Sequence, residues 1–341
     1  MAFRIFRQIG IGASTLLILG TSFYFDVGAL AAQPQPAGNV TRATIGIPDR
    51  SIGDREQCIR TGVGCAQRTY VLYTPRNVKP GAPLLFVFHG SGGDGESMRD
   101  VTSYEFDMLA DKNGFLVIYP DGYQTTWNDC RKGSPQPARV MNIDDESFIE
   151  AMIAKEVSAH GIDAKRVFAM GWSNGGQLNY RLAMERAKEF AGIAVISASV
   201  PVPSNLACTP SGAAMPAMII NGTDDPINPF NGGNVMLGST NLGPVYSSQE
   251  TAQYWAKLNG ITGSPEVKRL PHKNASDPTY VDQMSWSAPG KPGVVLYAVH
   301  GGGHVVPTRM PKDWGGLGRE TGDLDAPVAI WDFFSKLPSR P

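Results

Sequence analysis

One serine stands in a setting that suits a nucleophile. The stretch FAMGWSNGGQ, residues 168–177, places Ser173 between Gly171 and Gly175, directly after a short apolar run. A strand that turns sharply into a helix through G-x-S-x-G lifts the serine hydroxyl clear of the backbone, because only small side chains fit two positions away. The pattern predicts that Ser173 attacks a carbonyl carbon, with the backbone N–H of Asn174 as one oxyanion donor.

A serine hydroxyl needs a general base, and the chain has five histidines as candidates. In one chain order known for such triads, the carboxylate and then the histidine follow the serine. Two histidines precede Ser173 and a third lies in a polar stretch, so these three are set aside: His89, His160 and His272. We predict His304 as the base, because it follows GGG on a loop beyond an apolar run, with His300 as the alternative.

The carboxylate that orients the base is expected after the strand that precedes the histidine strand. The stretch AMIINGTDDPINP presents Asp224 and Asp225 at this place. We favour Asp225, because Pro226 biases the preceding residue away from a helix and toward a turn. Asp224 stays open as the alternative, and either residue also fits an ordinary turn-capping role.

A second oxyanion donor is expected from a glycine-rich loop after an early strand. The stretch VFHGSGGDG, residues 87–95, occupies this position, and we predict the N–H of Ser91 as the donor, with Gly92 as the alternative. His89 is expected to brace the loop. The same glycines resemble a dinucleotide-binding G-x-G-x-x-G only weakly, since the last glycine comes one place early and a helix does not begin at once.

Charge and cysteine usage narrow the class of protein. The formal net charge is −1 and no basic patch is present, so nucleic acid is not an expected partner. No CxxC occurs and the histidines do not cluster with the cysteines, so no metal site is expected. Four cysteines allow three pairings, and the short gap favours Cys58 with Cys65, which leaves Cys130 with Cys208; free thiols are the alternative.

The N-terminal residues have the three parts of a secretory signal. Two arginines precede an apolar run over residues 9–19, and Ala29-Leu30-Ala31 has the form of a cleavage site. The run is short for a bilayer span, so we expect a signal peptide over 1–31, a secreted or periplasmic protein, and no membrane association after cleavage.

Short apolar runs alternate with helical stretches over the rest of the chain. Seven runs are expected as strands, among them LLFVF and LVIYP. Several of them are continuous rather than alternating, as in strands buried on both faces of a parallel sheet. We predict one α/β domain with a mostly parallel central sheet flanked by helices over 68–341. A flexible lead and a local disulfide loop are expected over 32–67, and a long loop over 228–244.

Taken together, the motifs resemble secreted polyhydroxybutyrate-depolymerase-like esterases of the α/β-hydrolase fold, a group that merges with feruloyl and acetylxylan esterases of carbohydrate esterase family 1 type. The resemblance covers roughly residues 68–337. The matching stretches are FHGSGGDG, WND at 127–129, DDESF at 144–148, GWSNGG, GTDDPINPFNGG and GGGH at 301–304. The family pattern implies a triad of Ser173, Asp225 and His304, with no metal and no organic cofactor.

The resemblance implies an exported serine esterase that acts on small-molecule or oligomeric esters through an acyl-enzyme. We expect feruloyl-type or related carbohydrate esters; the alternatives are (oligo)hydroxybutyrate esters and a non-catalytic binding module on the same scaffold. The oligomeric state is left open.

Trp127 or Trp172 is expected to stack on a planar acyl group, and packing against the sheet edge is the alternative. Where relatives carry Thr-Trp-Pro after the histidine, this chain has Val305-Val306-Pro307, which predicts a missing aromatic wall.

Overall fold

The computed structural model describes residues 35–49 and 51–340. The predicted signal peptide therefore lies outside the described residues. The strands within this part are β1 Asn39–Ile47, β2 Ala66–Thr74, β3 Leu84–Phe88, β4 Leu116–Pro120, β5 Val167–Trp172, β6 Gly192–Ile196, β7 Ala217–Gly222, β8 Gly233–Leu237, β9 Thr240–Val245, β10 Glu266–Arg269, β11 Tyr280–Trp286 and β12 Val294–His300. The α-helices are α1 Arg55–Thr61, α2 Gly95–Val101, α3 Glu105–Asn113, α4 Pro137–Val140, α5 Asp145–His160, α6 Asn174–Glu185, α7 Ser248–Leu258 and α8 Ala326–Ser335.

Ten of these strands form one sheet in the order β1-β2-β4-β3-β5-β6-β7-β12-β11-β10. The six central strands, from β4 to β12 in this order, are parallel, and antiparallel strands extend the sheet at both edges. The prediction of a mostly parallel α/β sheet is confirmed. All seven strands expected from the sequence are present, and β5 lies between β3 and β6 near the middle of the sheet.

Helices cover both faces of the sheet, which explains why the central strands are apolar throughout. On β3, Leu84, Phe86 and Phe88 contribute to a core with side chains of α5, α6 and α7, whereas Leu85 and Val87 belong to a second core with α2, α3 and α8. Successive strand residues point to opposite faces, and here each face meets a helical layer. Burial on both faces gives the continuous apolar runs that the sequence shows.

Two segments differ from their predictions. The prediction of a flexible lead over 32–46 is wrong for the second half of that segment, because β1 pairs with β2 in antiparallel register from Asn39 to Ile47. The long loop expected over 228–244 contains the β8–β9 hairpin, a separate two-stranded sheet. Both segments expose most of their side chains, so neither carries the apolar run that marks a buried strand.

Both disulfides favoured by the cysteine spacing are present. Cys58 pairs with Cys65 beside α1, and Cys130 pairs with Cys208 across a sequence separation of 78 residues. The second bridge joins the segment after β4 to the segment after β6, and the Ala207 N–H also donates to the Cys130 carbonyl (2.7 Å). Among the described helices, none combines the length and apolar content needed to cross a bilayer.

Candidate active site

Ser173 occupies the sharp turn between β5 and α6. Its φ and ψ are 56° and −115°, a conformation that is strained for a residue with a side chain. The turn tolerates no bulk at the flanking glycines: a Cβ on Gly171 would lie 2.3 Å from the Gly175 carbonyl carbon, and one on Gly175 would lie 2.5 Å from the Phe88 carbonyl oxygen. The backbone thus has the geometry of a nucleophile elbow.

His304 and Asp225 are in direct contact. His304 Nδ1 lies 3.0 Å from Oδ1 and 2.8 Å from Oδ2 of the carboxylate, and both side chains are buried. The Oδ1 atom also accepts hydrogen bonds from the backbone N–H groups of Ile227 and Asn228 (both 2.8 Å), which hold the carboxylate in place. Asp224 is instead exposed and accepts a hydrogen bond from Thr223 Oγ1 (3.0 Å).

Ser173 and His304 line one pocket of about 110 Å³ at the carboxyl ends of the central strands. Ligands of open α/β sheets bind at this edge. One wall of the pocket comes from the β8–β9 hairpin, through Val235, Leu237 and Leu242. The segment expected to be a loop therefore supplies an apolar side of the candidate site.

The glycine-rich loop after β3 has a defined orientation. The Gly90 carbonyl accepts hydrogen bonds from His89 Nδ1 (2.7 Å) and from the Gly93 N–H (3.2 Å). In a planar trans peptide the C=O and N–H point in opposite directions, so the Ser91 N–H points away from His89. The Gly92 N–H, the alternative donor, is engaged by the Thr125 carbonyl (2.9 Å). This arrangement leaves Ser91 as the better placed candidate.

A clamp holds Asn174, the first residue of α6. Its Oδ1 accepts a hydrogen bond from the Trp127 N–H (2.8 Å), and its Nδ2 donates to Asp129 Oδ2 (2.8 Å). Asp129 is fully buried and pairs with Arg131, which also lines the pocket. The WND stretch therefore fixes the residue that follows the serine. Cys130, which is bonded to Cys208, lies between the two members of the ion pair in the sequence.

The remaining histidines have other partners. His89 is buried; its Nε2 accepts a hydrogen bond from the Gly122 N–H (2.9 Å), so its proton is on Nδ1, and burial lowers its pKa. His272 lies 2.8 Å from Asp323, and His300 stacks on Tyr280 at a centroid distance of 4.2 Å. His160 is paired with Glu156 on α5. None of these four lines the pocket.

The two tryptophans expected to stack on an acyl group differ. Trp127 is fully buried, its ring packs edge-on against Phe88, and its indole N–H donates to the His89 carbonyl (2.9 Å). The stacking interpretation is therefore wrong for Trp127, because its ring belongs to the core, as the packing alternative held. Trp172 does line the pocket, and its ring lies 5.7 Å from that of His304.

An aromatic neighbour of Trp172 was not foreseen. Trp314 packs edge-on against it at 5.5 Å and is held by a hydrogen bond from its indole N–H to Glu320 (2.7 Å). Val306, which stands at the position where the resemblance led us to expect an aromatic residue, is buried. An aromatic side chain thus stands beside Trp172 despite that replacement, contributed by a loop about ten residues further along the chain.

The loop that carries His304 makes a close backbone contact with the segment around Gly318. A Cβ on Gly303 would lie 2.1 Å from the Leu317 carbonyl oxygen, and one on Gly318 would lie 2.7 Å from Gly303 Cα. The His304 N–H donates to the Leu317 carbonyl (2.7 Å). Two glycines thereby permit the close approach that fixes the histidine backbone.

Four polar residues line the pocket that the sequence analysis did not predict: Arg131, Gln177, Ser197 and Asn228. Gln177 had a detectable signal, because it follows Ser173 by four residues in a predicted helix, and residues so spaced lie on one face. Ser197 directly follows β6 and Asn228 lies in the segment between β7 and β8, so both meet the serine only through the sheet topology. Within residues 35–49 and 51–340, no group of three or more His, Cys, Asp or Glu side chains is arranged to hold a metal ion.

The chain matches the family described as phospholipase/carboxylesterase over residues 75–237. It is 30% identical over 238 residues to the putative esterase NocK of Nocardia uniformis subsp. tsuyamanensis, covering 67% of this chain and 66% of that protein. It is 26% identical over 273 residues to the probable feruloyl esterase C of Aspergillus niger, covering 78% of this chain and 83% of that protein.

The fold has a solved counterpart. The acetyl xylan esterase from Aspergillus awamori is similar with a TM-score of 0.53 at 16% identity, over 87% of this chain and 99% of that one. Coverage of the relatives by sequence is more limited: the chain spans 66% of the Nocardia protein and 58% of the probable feruloyl esterase C of Aspergillus oryzae. The sheet and the solved counterpart show that the chain has the α/β-hydrolase fold, and its sequence is similar to esterases over the matched residues.

Proposed function

We propose that the protein is an exported serine carboxylic-ester hydrolase that uses Ser173, His304 and Asp225 as its catalytic triad. The observation that carries the proposal is the contact of His304 Nδ1 with both oxygens of the buried Asp225 carboxylate, at 3.0 and 2.8 Å, in a pocket that Ser173 also lines. A carboxylate on Nδ1 keeps the proton there and leaves Nε2 free to act as a base.

The reaction follows from these roles. His304 Nε2 takes the Ser173 proton as the serine oxygen attacks the ester carbonyl, and the backbone N–H groups of Asn174 and Ser91 stabilise the oxyanion. His304 then gives the proton to the leaving alcohol, and an acyl-enzyme remains. Water, activated by the same histidine, releases the acid. The positive end of the α6 dipole favours the oxyanion further.

Carbohydrate esters are the proposed substrate class, of feruloyl type or related to it. The names of the Aspergillus relatives, probable feruloyl esterase C and acetyl xylan esterase, support this class, as does the aromatic pair of Trp172 and Trp314 beside the pocket. The pocket volume of about 110 Å³ lies below the roughly 300–1,000 Å³ of pockets for drug-sized ligands. This volume favours a short acyl group such as acetyl as the second candidate.

Export is part of the proposal. Two disulfides occur among the described residues, and structural disulfides persist mainly in the periplasm and outside the cell. The predicted signal peptide and these bridges point to the same compartment.

The first test is hydrolysis of an ester panel by the mature protein. The panel holds methyl ferulate, p-nitrophenyl acetate, p-nitrophenyl butyrate and a 3-hydroxybutyrate trimer. We expect activity on at least one member and a fall in kcat of about 10⁶-fold in Ser173→Ala. Ser204→Ala, at an exposed serine outside the pocket, is the matched control and keeps the wild-type rate.

A serine-reactive fluorophosphonate gives an independent readout of the nucleophile. The wild type and Ser204→Ala are expected to be labelled, and Ser173→Ala is not. A folded protein that neither hydrolyses any panel member nor takes the label would support the non-catalytic binding module instead.

A further inference from the structure

The pocket has a polar side whose atoms lack partners in the protein. Gln177, Ser197 and Asn228 all line it, and each is only 2% exposed. Within the described part of the chain, no protein group is hydrogen-bonded to Gln177 Oε1, Ser197 Oγ or Asn228 Oδ1. Trp172, which also lines the pocket, has an indole Nε1 without a partner as well. Buried polar atoms are nearly always hydrogen-bonded, so these three oxygens and the indole nitrogen call for an explanation.

The two amides are anchored through their other ends. Gln177 Nε2 donates to the Ser199 carbonyl (2.9 Å), and Asn228 Nδ2 donates to Ser199 Oγ (3.2 Å). The Gln177 carbonyl oxygen is consequently the group left over. An amide oxygen accepts hydrogen bonds and cannot donate them, so its partner in a ligand must be an O–H or N–H group.

Ser197 is held at the end of β6 in an unusual conformation. Its φ is 54°, and its N–H donates to the Ile220 carbonyl (3.0 Å). Residues with side chains in this region of φ are strained, and they concentrate at ligand sites. Its hydroxyl is able both to donate and to accept, which suits a partner hydroxyl.

The charge of the pocket argues against an anionic ligand. Arg131 is the cationic side chain among the lining residues, and it is already paired through its Nε and Nη2 with the buried carboxylate of Asp129. A substrate carboxylate would therefore meet unpartnered amide and hydroxyl oxygens beside a neutralised guanidinium, with the uncharged indole N–H of Trp172 as a donor. A neutral hydroxyl fits these acceptors better.

We infer that Gln177, Ser197 and Asn228 form a hydroxyl-binding subsite that selects esters carrying a free hydroxyl close to the scissile bond. The inference rests on the proposed ester hydrolysis and adds the substrate feature that the site selects. Gln177 lies four residues after Ser173 in α6, about 6 Å along the helix axis. A hydroxyl of either the acyl part or the alcohol part, on a carbon near the ester, is within that reach.

The test compares matched esters by titrating the acid released. Methyl butyrate carries no hydroxyl, methyl 3-hydroxybutyrate carries one on the acyl part, and 2-hydroxyethyl butyrate carries one on the alcohol part, with propyl butyrate as its parent. We expect kcat/KM for one hydroxylated ester to exceed that of its parent by at least about tenfold, because a site built to bond a hydroxyl rejects the analogue that lacks it. The favoured member identifies the part of the substrate that enters the subsite.

Two variants assign the preference to the subsite. Gln177→Met removes the acceptor with little change of volume, and Ser197→Gly removes the hydroxyl while glycine adopts the positive φ readily. Each is expected to lower the ratio of hydroxylated to parent ester about tenfold, whereas Gln249→Met, on the exposed surface of α7, keeps the wild-type ratio. Ser197→Gly serves alone if Gln177→Met does not fold.

The outcomes separate the two proposals. Hydrolysis of the parent esters that depends on Ser173, without preference for a hydroxylated ester, would overturn the subsite and retain the esterase. A preference that survives in both variants would also overturn it. Failure to hydrolyse any of these esters would overturn the subsite, and the fluorophosphonate then decides the proposed function: labelling that depends on Ser173 retains it, and no labelling removes it.

Discussion

The pocket has two sides of different construction. The strand-end side, represented by Ser173, Ser197 and His304, stands at the ends of central strands that are buried on both faces. The hairpin side, represented by Val235, Leu237 and Leu242, comes from a separate two-stranded sheet. That hairpin has its own small apolar cluster of Val235, Leu242 and Val245 and exposes much of its surface.

The difference concerns what each side tolerates. On the strand-end side, a Cβ placed on Gly171 or Gly175 would lie within 2.5 Å of neighbouring backbone atoms. A substitution at either glycine should therefore disturb both the position of Ser173 and the packing of the sheet. On the hairpin side, Leu237 is 41% exposed although it lines the pocket. The shape of the pocket can therefore change there without disturbing the sheet, and substitutions on the two sides should give effects of different size and kind.

After Ser173→Ala, the largest expected effect comes from the carboxylate that holds His304. Asp225→Asn keeps the shape but favours the wrong tautomer of the histidine, and we expect kcat to fall by about 10⁴-fold. Asp224→Asn, at the exposed neighbour, is the control and changes kcat by less than about threefold. Equal losses in the two variants would contradict the assignment of Asp225.

Removal of the disulfides is expected to give the next largest effect. Removing Cys130–Cys208 as a double serine variant frees a loop with a separation of 78 residues, and removing Cys58–Cys65 frees one of 7. Chain entropy predicts losses of about 4.5 and about 2.4 kcal/mol in the free energy of unfolding. Denaturant unfolding measures both losses.

Activity separates the two bridges further. Only the longer bridge flanks Asp129 and Arg131 on the strand-end side, so only its loss should lower kcat at a temperature where both variants stay folded. A drop of equal size in the Cys58–Cys65 variant would contradict the role given to the longer bridge in holding Asp129 and Arg131.

A single methyl group tests the elbow itself. Gly175→Ala places a Cβ 2.5 Å from the Phe88 carbonyl oxygen, and overpacking of this kind costs about 1–3 kcal/mol or more. We expect a lower melting temperature together with a loss of esterase activity. Gly293→Ala is the control, because its Cβ would lie 3.7 Å from the nearest atom. A Gly175→Ala protein with wild-type stability and rate would contradict the strict steric requirement on the strand-end side.

The smallest effect is expected on the hairpin side. Leu237→Ala enlarges the pocket at a half-exposed position, so the free energy of unfolding should change by less than about 0.5 kcal/mol. The ratio of p-nitrophenyl butyrate to p-nitrophenyl acetate hydrolysis should rise about twofold to threefold, since a missing methylene in an apolar wall has effects of roughly this order or larger. Met236→Ala, exposed beside it but outside the pocket lining, should leave the ratio unchanged.

The central strands were predictable because burial on both faces leaves a mark in the sequence. LLFVF of β3 and LVIYP of β4 are apolar at every position. The antiparallel edge strands leave no such mark: β1 reads NVTRATIGI and is mostly exposed, and β10 reads EVKR and is exposed throughout. Their pairing is set by neighbouring strands rather than by their own composition, so tertiary context decides them.

The candidate site divides in the same way. The elbow is a local motif, so the sequence alone indicated Ser173. The chain order of serine, carboxylate and histidine then selected Asp225 and His304; the structure places these two in contact, and Ser173 and His304 in one pocket. Which way a ring points is not a local property: Trp127 follows a strand whose end faces the site, yet its ring enters the core. The polar side of the pocket joins residues of three separate segments, and only the topology assembles it.

The contact between Gly303 and Gly318 has an evolutionary consequence. Because each glycine lies where the other's side chain would have to go, neither position is free to mutate on its own. The two glycines are therefore expected to change together in evolution. A relative that has replaced either glycine needs a different backbone path in the loop that supports His304. Divergence among relatives should therefore appear as a joint change at both positions, together with a change in the length of the intervening segment.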